Sequence, residues 1–377
     1  MFQSKMNNNL RTILERGCTS TQLFFLLLQR VLGSNASLPQ KIDAETWQQV
    51  YALAKQQALL GIVFLAIDSL TEEQRPPKAL IMQWWGMTER IKQQSKRLNE
   101  VAEKVEQRFA ADGLRGVVLK GVGMGALYPH PLNRTPGDVD LWLEGERKEI
   151  VVYVKRFKEK PFVIYHHVDF VDVDGVSIEL HFTPSYFSDL FTNYKFQKWV
   201  RKERGAHMEH VTTLDGGHEV HTPTVAFNRV YILSHIYRHL FDEGVGLRQL
   251  MDYYYVLRQG FTETERQETL RMLKQFKMVR FAEAVMWVLK EVFGLEAKYM
   301  LTTPNEREGK FLLDEIMMAG NFGHYDPRII RSQDERLFTR FVRRTIRNLR
   351  FLRSYPSEVI WSPIFKIIQR IWMLKWN

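Results

Sequence analysis

Two acidic residues, Asp138 and Asp140, flank Val139 in a short apolar segment. If this segment is a β-strand, both carboxylates point to one face, because side chains alternate between the faces of a strand. Val139 and Leu141 then point into the core. Two neighbouring carboxylates repel each other unless a cation lies between them, so the spacing predicts a cation site.

A glycine-rich turn precedes the acidic pair. The apolar run 117–119 is followed by Lys120 and by glycines at positions 121, 123 and 125. Backbone N–H groups at Gly121 and Val122 could hold a phosphate at the start of a helix.

A third carboxylate is expected from a later hairpin. Asp174-Gly175 lies between two alternating runs, which is a strong hairpin signal. The second run alternates apolar residues with Ser177, Glu179 and His181. Glu179 could therefore join the acidic pair from a neighbouring strand.

These motifs resemble the nucleotidyltransferase superfamily of DNA polymerase beta. The sequence is most similar to its bacterial branch of poorly characterised nucleotidyltransferases. Members of that branch carry an L-K-G turn, an R-x-x-G-D-x-D-L strand and a later acid followed by L-H. Here these motifs stand at 119–121, 134–141 and 179–181, and the resemblance extends to the flanking helices.

The resemblance implies an enzyme that transfers a nucleoside monophosphate, AMP in the simplest case, from a nucleoside triphosphate to an unknown acceptor hydroxyl. It implies Mg²⁺, or Mn²⁺, as cofactor. The expected catalytic and metal-binding residues are Asp138, Asp140 and Glu179, with Glu179 binding a second ion or taking the acceptor proton. The expected nucleotide contacts are Lys120, Gly121, Val122 and Arg134. The expected acceptor-side residues are His181, His235, His239, Arg248 and Asp252.

Other interpretations remain open at this stage. Gly121-x-Gly123-x-x-Ala126 after a strand also fits a dinucleotide-binding fingerprint, but that fingerprint needs a βαβ unit, which the sequence does not predict. The glycines could equally form a surface loop, and the acidic pair a solvated strand edge. His235 and His239 have a spacing that can bind zinc, yet no third ligand is evident. An i,i+4 pair such as Arg248 and Asp252 can equally be a structural ion pair.

Composition fits an ordinary globular protein. The chain has 377 residues, 45% hydrophobic and 25% charged, with a single cysteine, Cys18. One cysteine excludes an internal disulfide framework and a multi-cysteine zinc site. The N-terminal segment lacks the apolar core of a signal peptide, and no run is long enough to span a bilayer. A cytoplasmic protein without a transmembrane segment is therefore expected.

The pattern of apolar residues predicts an α+β fold, with a small mixed sheet between helical regions. The resemblance implies that this mixed-sheet part is the nucleotidyltransferase core. The expected division is an N-terminal helical region at 1–111, the α/β core at 112–222 and a C-terminal helical domain with a basic tail at 223–377. The longest expected helix runs from Lys78 to about Ala111. Other expected helices lie at 19–32, 44–60, 61–70, 146–158, 225–240, 246–258, 263–276, 281–293, 335–353 and 361–376.

The last 47 residues carry 11 basic and three acidic residues, so they hold most of the net charge of +10. Arg343, Arg347 and Arg350 share one helical stripe opposite an apolar one. The simplest interpretation is a surface helix packed on the body with a solvated basic face. The alternative is contact with a polyanion, either nucleic acid or an anionic membrane surface.

Two functional classes therefore compete with the enzyme. One is a nucleotide-binding scaffold or sensor that keeps the fold without turnover, favoured by Val122 where the wider superfamily usually has Ser or Gly. The other is a helical nucleic-acid-binding protein, based on the tail alone. The intact set of three acids favours the enzyme.

Overall fold

The computed structural model describes residues 19–328, 337–374 and 376. Cys18, the N-terminal segment and the first part of the basic tail at 329–336 lie outside the described residues. The fold is α+β, as the sequence predicts.

Three helices open the described chain: α1 (Ser20–Val31), α2 (Ala44–Gln56) and α3 (Leu60–Phe64). α2 begins where the Asp43 carboxylate accepts the Thr46 N–H at 2.8 Å, which satisfies a free donor of the first turn. It ends four residues earlier than predicted, since Ala58 adopts a left-handed conformation with φ of 56°.

Helix α4 (Lys78–Ala111) has 34 residues and the bounds that the sequence predicts. Leu80 and Trp84 in its first half are buried in the large helical core. Val101, Val105 and Phe109 in its second half are buried against the sheet. One continuous helix therefore contributes buried residues to both apolar clusters.

The main sheet has four strands: β1 (Gly116–Leu119), β2 (Val139–Leu143), β3 (His167–Asp169) and β4 (Ile178–His181), in the order β1-β2-β4-β3. The central pair β2–β4 is parallel, and the two outer pairs are antiparallel. The predicted hairpin joins β3 to β4, with positive φ at Asp174 (51°) and Gly175 (73°). This pair of angles suits a type I′ hairpin turn.

A short helix, α5 (Lys120–Gly125), follows β1 directly. Because β1 and β2 are antiparallel, the connection is not a βαβ crossover, and the dinucleotide fingerprint lacks the context it needs. Gly123 is required by close packing, since a Cβ there would lie 3.1 Å from the methyl carbon of Thr222.

The other elements surround this sheet or extend the helical core. They are α6 (Arg147–Val154), α7 (Leu190–His207), the two-stranded sheet of β5 (Val211–Thr213) and β6 (Glu219–His221), α8 (Val225–Asp242), α9 (Leu247–Arg258), α10 (Glu263–Gln275), α11 (Val279–Phe293), α12 (Glu306–Ala319), α13 (Leu337–Leu349) and α14 (Pro356–Met373). Short 3₁₀ turns lie at Ile67–Ser69, Glu72–Gln74, Pro131–Asn133, Ala297–Tyr299 and Asn321–Gly323. In the described ranges, no helix is long and apolar enough to cross a bilayer.

The basic helix α13 packs on the body, as the simplest sequence interpretation expects, but most of its arginines are half-buried and do not form a solvated face. Arg347 donates to the carbonyl oxygens of Leu240 and Glu243 at 2.8 and 2.9 Å. Arg350 pairs with Glu315 at 2.9 Å. The exposed side of α13 has one arginine, Arg340, and three apolar residues, Phe338, Ile346 and Leu349, each more than half exposed.

Candidate active site

The register of the central strand pair brings two predicted acids side by side. Asp140 of β2 lies opposite Glu179 of β4. Asp140 is buried with 1% of its surface exposed, whereas Glu179 and Asp138 are half-buried. β4 runs parallel to β2, and Glu179 lies two residues before the end of β4 at His181. This pairing therefore brings the acids that the sequence predicts together on one face of the sheet.

Lys120 supplies a cation to these acids. Its ammonium nitrogen lies 2.7 Å from Oδ1 of Asp140. The residue has a positive φ of 34°, which is rare for a residue other than glycine and marks a constrained backbone at the junction of β1 and α5. The turn thus places the side chain of Lys120 against the carboxylates.

Two histidines complete the cluster. Nε2 of His181 lies 2.7 Å from Oδ1 of Asp140 and 3.2 Å from Oε2 of Glu179. Nδ1 of His167 lies 2.9 Å from the same Glu179 oxygen. His181 is therefore part of the acidic cluster itself, although the sequence placed it on the acceptor side.

The charges shift the pKa values of the group in opposite directions. The Asp140 carboxylate raises the pKa of Asp138. Burial acts to raise the pKa of Asp140, but the Lys120 ammonium and the His181 hydrogen bond outweigh it and hold that pKa below its usual value. Burial likewise opposes ionisation of Glu179, yet hydrogen bonds from His167 and His181 lower its pKa strongly. Burial disfavours the Lys120 ammonium, but the three carboxylates raise its pKa.

The donor set fits a divalent cation. Asp140, Glu179 and His181 bring ligand atoms within 4.8 Å of one another, as do His167, Asp169 and Glu179. Among the described residues Asp138 belongs to no such group, but it borders the same cleft. Carboxylate oxygens suit Mg²⁺ and Mn²⁺, and the added imidazole nitrogens also suit transition metals such as Zn²⁺ and Fe²⁺.

A cleft of about 1130 Å³ opens above the acids. It gathers most of the predicted site residues at one place: Lys120, Gly121, Arg134, Asp138, Asp140, Glu179, His235, His239, Arg248 and Asp252. Val122 is buried in the core below the turn, so only its backbone is available to a ligand.

Arg134 and Asp252 form a buried two-pronged ion pair at one end of the cleft. Nε and Nη2 of Arg134 lie 2.7 and 2.8 Å from the two Asp252 oxygens, and the Tyr128 hydroxyl donates to Asp252 at 2.7 Å. The carboxylate and the tyrosine raise the pKa of Arg134 although burial opposes it. These side chains are engaged with each other, which favours a positioning role for both.

Arg248 does not form the expected ion pair with Asp252, because that carboxylate is held by Arg134. Instead Arg248 donates to the carbonyl oxygen of Thr135 at 3.0 Å, and its Nε has no hydrogen-bond partner. It is 7% exposed, and burial together with Arg134 lowers its pKa to about 10. Nη1 lies 4.0 Å from the position that a Cβ would take at Gly137, next to Asp138.

His235 and His239 stack edge-on with ring centroids 4.3 Å apart on α8. Burial lowers the pKa of both, so both are neutral near pH 7. His239 is engaged with Arg238 at 2.9 Å and with Glu243 at 3.3 Å. In the part of the chain that the structure describes, no third metal ligand joins this pair, which gives no support to a zinc site.

With this geometry in place, comparison with known proteins is informative. A family model described as uncharacterised nucleotidyltransferase matches residues 43–294, about two thirds of the 377 residues. The chain belongs to this family. The predicted family is thus confirmed, and nucleotidyl transfer is the general activity that membership supports.

Solved structures with similarity to this nucleotidyltransferase include an antigenic nucleotidyltransferase-like protein from Paracoccidioides brasiliensis. It is 14% identical with a TM-score of 0.29, and the match covers 50% of this chain and 92% of that one. The Thermotoga maritima CCA-adding enzyme complexed with tRNA is 12% identical with a TM-score of 0.19, covering 71% of this chain and 78% of that one. No curated protein matches the sequence.

Several residues of this nucleotidyltransferase site were not expected from the sequence. His166 and His167 lie beside His181, and these three also bring ligand atoms within 4.8 Å of one another. Their only sequence signal was their place at the start of the hairpin. Arg238 and the arginines of α13 line the cleft as well, and no local pattern connects them to the acids.

Proposed function

We propose that the protein transfers AMP from ATP to a hydroxyl group of an acceptor, with Mg²⁺ or Mn²⁺ held by Asp138, Asp140 and Glu179. The observation that carries the proposal is the cluster of carboxylates on one face of the sheet, in which Asp140 lies opposite Glu179 and the Lys120 ammonium lies 2.7 Å from Asp140. Family membership supports nucleotidyl transfer as the reaction class.

In this reaction the acceptor oxygen attacks the α-phosphorus of the triphosphate. The bond from that phosphorus to the α,β-bridging oxygen breaks, pyrophosphate leaves, and the proton of the acceptor hydroxyl passes to bulk water. A bound ion supplies charge neutralisation and orientation of the reacting oxygens. Lys120 and Arg248, both beside the acids, are the cations of this chain best placed to contact the triphosphate.

Glu179 is better suited to bind the ion than to accept a proton. Hydrogen bonds from His167 and His181 overcome the effect of burial and lower its pKa strongly, and a carboxylate with a low pKa is a weak base. Of the two roles left open by the sequence, the geometry therefore favours that of a ligand.

Carboxylate removal tests the proposal. Asp138→Asn and Asp140→Asn should each abolish Mg²⁺-dependent ATP binding, measured by calorimetry, and AMP transfer, measured with ATP labelled at the α-phosphate. Asp172→Asn is the matched control, since Asp172 is exposed in the β3–β4 connection outside the cleft. Unchanged binding in both site variants would contradict the metal assignment.

A nucleotide-binding scaffold or sensor is the second candidate function, and Val122 at the turn is the observation in its favour. A wild-type protein that binds ATP and Mg²⁺ tightly, but transfers no label to any fraction of a cell extract, would support it over the enzyme.

A further inference from the structure

Asp242, the last residue of α8, is surrounded by three cations. Lys366 of α14 lies 2.8 Å away, Arg344 of α13 lies 3.6 Å away, and Arg238 of α8 lies 3.9 Å away. The Tyr186 hydroxyl also donates to this carboxylate at 3.0 Å. A single carboxylate balances only one of the three positive charges.

Arg238 and a further arginine, Arg347, have few anionic partners. Within the described ranges Arg347 donates to neutral oxygens: the carbonyl oxygens of Leu240 and Glu243 at 2.8 and 2.9 Å, and the side-chain oxygen of Asn348 at 3.2 Å. The Arg238 side chain is 10% exposed and its Nε has no hydrogen-bond partner. The other carboxylate nearby, Glu243, lies 3.3 Å from His239, which is neutral. This region therefore holds two carboxylates beside the four cations Lys366, Arg344, Arg238 and Arg347. Burying cations without matching anions is costly, so this cluster is suited to an anionic ligand.

These cations face the cleft that contains the acids. We call the five arginines of α8 and α13 that line it the basic wall: Arg238, Arg340, Arg343, Arg344 and Arg347. The family match ends at residue 294, so four of the five lie beyond it. Most of the basic wall therefore lies outside the part of the chain that the family model matches.

We propose that the basic wall binds a phosphate group of the acceptor, and that the acceptor is therefore a small phosphorylated molecule with a free hydroxyl. This inference rests on the proposed AMP transfer. The planar guanidinium fork matches the oxygen geometry of phosphate, and several arginines together neutralise its double charge.

The wall is distinct from the place proposed for the triphosphate. Lys120 and Arg248 lie at the acids, whereas the wall is centred on Asp242. A cleft of about 1130 Å³ exceeds the roughly 300–1,000 Å³ typical for one drug-sized ligand, so it has room for a second small molecule.

The position of the wall favours a small acceptor over a nucleic acid. Arg343, Arg344 and Arg347 are half-buried inside the cleft. The exposed residues of α13 include Phe338 and Ile346, 75% and 63% exposed, and a single arginine, Arg340. A protein that follows a nucleic-acid backbone needs an exposed basic stripe, which these residues of α13 do not provide.

Phosphate binding tests the inference directly. With a non-hydrolysable ATP analogue and Mg²⁺ at saturation, inorganic phosphate should still bind wild-type protein, measured by thermal-shift titration against chloride of equal ionic strength. Arg344→Gln should weaken this binding about tenfold or more, because it removes a charge-assisted donor. Arg353→Gln, which removes an exposed arginine outside the cleft, should leave it unchanged.

Phosphate that displaces the analogue, or that binds Arg344→Gln as tightly as wild type, would overturn the inference. If Arg344→Gln does not fold, Arg344→Lys keeps the charge beside Asp242 and should still weaken binding through loss of the fork. Failure of the analogue to bind in the absence of phosphate would count against the proposed function alone.

A turnover experiment identifies the source of the phosphate. Label from ATP should pass to molecules in a low-mass extract, and pretreating that extract with phosphatase, followed by removal of the phosphatase, should abolish the transfer. Ribonuclease pretreatment should have no effect. Transfer that survives phosphatase, or label that appears only in RNA, would contradict a small phosphorylated acceptor.

Discussion

Lys120 is the residue that lets the buried carboxylates coexist in the absence of a ligand. Its ammonium lies 2.7 Å from Asp140, and both side chains are largely buried. Removing one partner of a buried pair leaves an uncompensated charge. Lys120→Met should therefore lower the free energy of unfolding by roughly 2–3 kcal/mol, less than the full cost of an isolated pair because His181 remains.

This effect is measured by denaturant unfolding, with Lys104→Met as control. Lys104 pairs with Asp174 at 2.8 Å, close to the 2.7 Å between Lys120 and Asp140. The Lys104 pair lies on the surface, where an ion pair contributes little to stability. Added Mg²⁺ should raise the melting temperature of Lys120→Met more than that of wild type, because an ion that binds the folded state replaces the lost charge. Equal losses in the two variants, without a Mg²⁺ effect, would count against the cation site.

A substitution at Glu179 tests whether this carboxylate binds the ion, apart from the structural role of its histidine partners. Glu179→Gln should lower the rate of AMP transfer by at least about tenfold and weaken Mg²⁺ binding, since the amide keeps the shape but loses the charge. Tight Mg²⁺ binding with slow transfer would instead favour the role as proton acceptor. The measurement is transfer rate and Mg²⁺ affinity on the same preparation.

At the residue scale, the sequence predicted the acids because their information is local. The alternation around Val139 fixes the side of Asp138 and Asp140, and the Asp174-Gly175 turn fixes the side of Glu179. Side-chain pairs between residues far apart in the sequence were harder to predict. Asp252 pairs with Arg134, a residue 118 positions away in sequence, and no spacing rule relates them.

At the element scale, helix α14 is fixed to the body by a buried carboxyl group. Glu358, 4% exposed, accepts the N–H groups of Ser188 and Asp189 at 2.6 and 3.4 Å. Burial raises the pKa of Glu358 to about 7, even though these N–H donors lower it, and Asp242 adds to the rise. The folded protein therefore holds this proton to higher pH than the unfolded chain does.

The stabilisation from this proton is present below the usual glutamate pKa and is lost as the pH rises through about 7. Stability should accordingly fall by roughly 2 kcal/mol between pH 5 and 7.5 from this group. In Glu358→Gln that part of the pH dependence should disappear, as measured by urea unfolding across the range. An unchanged pH profile in the variant would show that Glu358 ionises normally.

The elements themselves were largely predictable where the period of apolar residues was clear, as in α4. Helices α7 and α12 were not predicted, although cap signals were present. Asp189 accepts the N–H groups of Phe191 and Thr192, and Asn305 accepts that of Glu308. The sequence could not predict which way the arginines of α13 face. A local pattern indicates that a basic stripe exists, but not which part of the folded protein it contacts.

At the scale of the whole molecule, the C-terminal helices are part of the core. Phe351, Tyr355, Val359 and Phe365 are each at most 5% exposed. Burying such side chains contributes about 1.5–3 kcal/mol each, so removing all four would cost an amount similar to the net stability of a typical protein.

A chain cut after Asp334 should therefore lose cooperative thermal unfolding, measured by circular dichroism, while Arg344→Gln should retain it. A cut chain that unfolds cooperatively at the wild-type temperature would show that the helices are accessory. The division at 111 and 222 remains a prediction, which limited proteolysis at those positions would test.

The length of α4 has a mechanical consequence. At 1.5 Å per residue its 34 residues form a rod of about 51 Å, embedded at one end among the helices and at the other against the sheet. A hinge between the two apolar clusters would have to bend this rod and break backbone hydrogen bonds in its middle. Scattering profiles of the free and nucleotide-bound protein should therefore give the same radius of gyration, because the cleft is built in its working shape before any ligand enters.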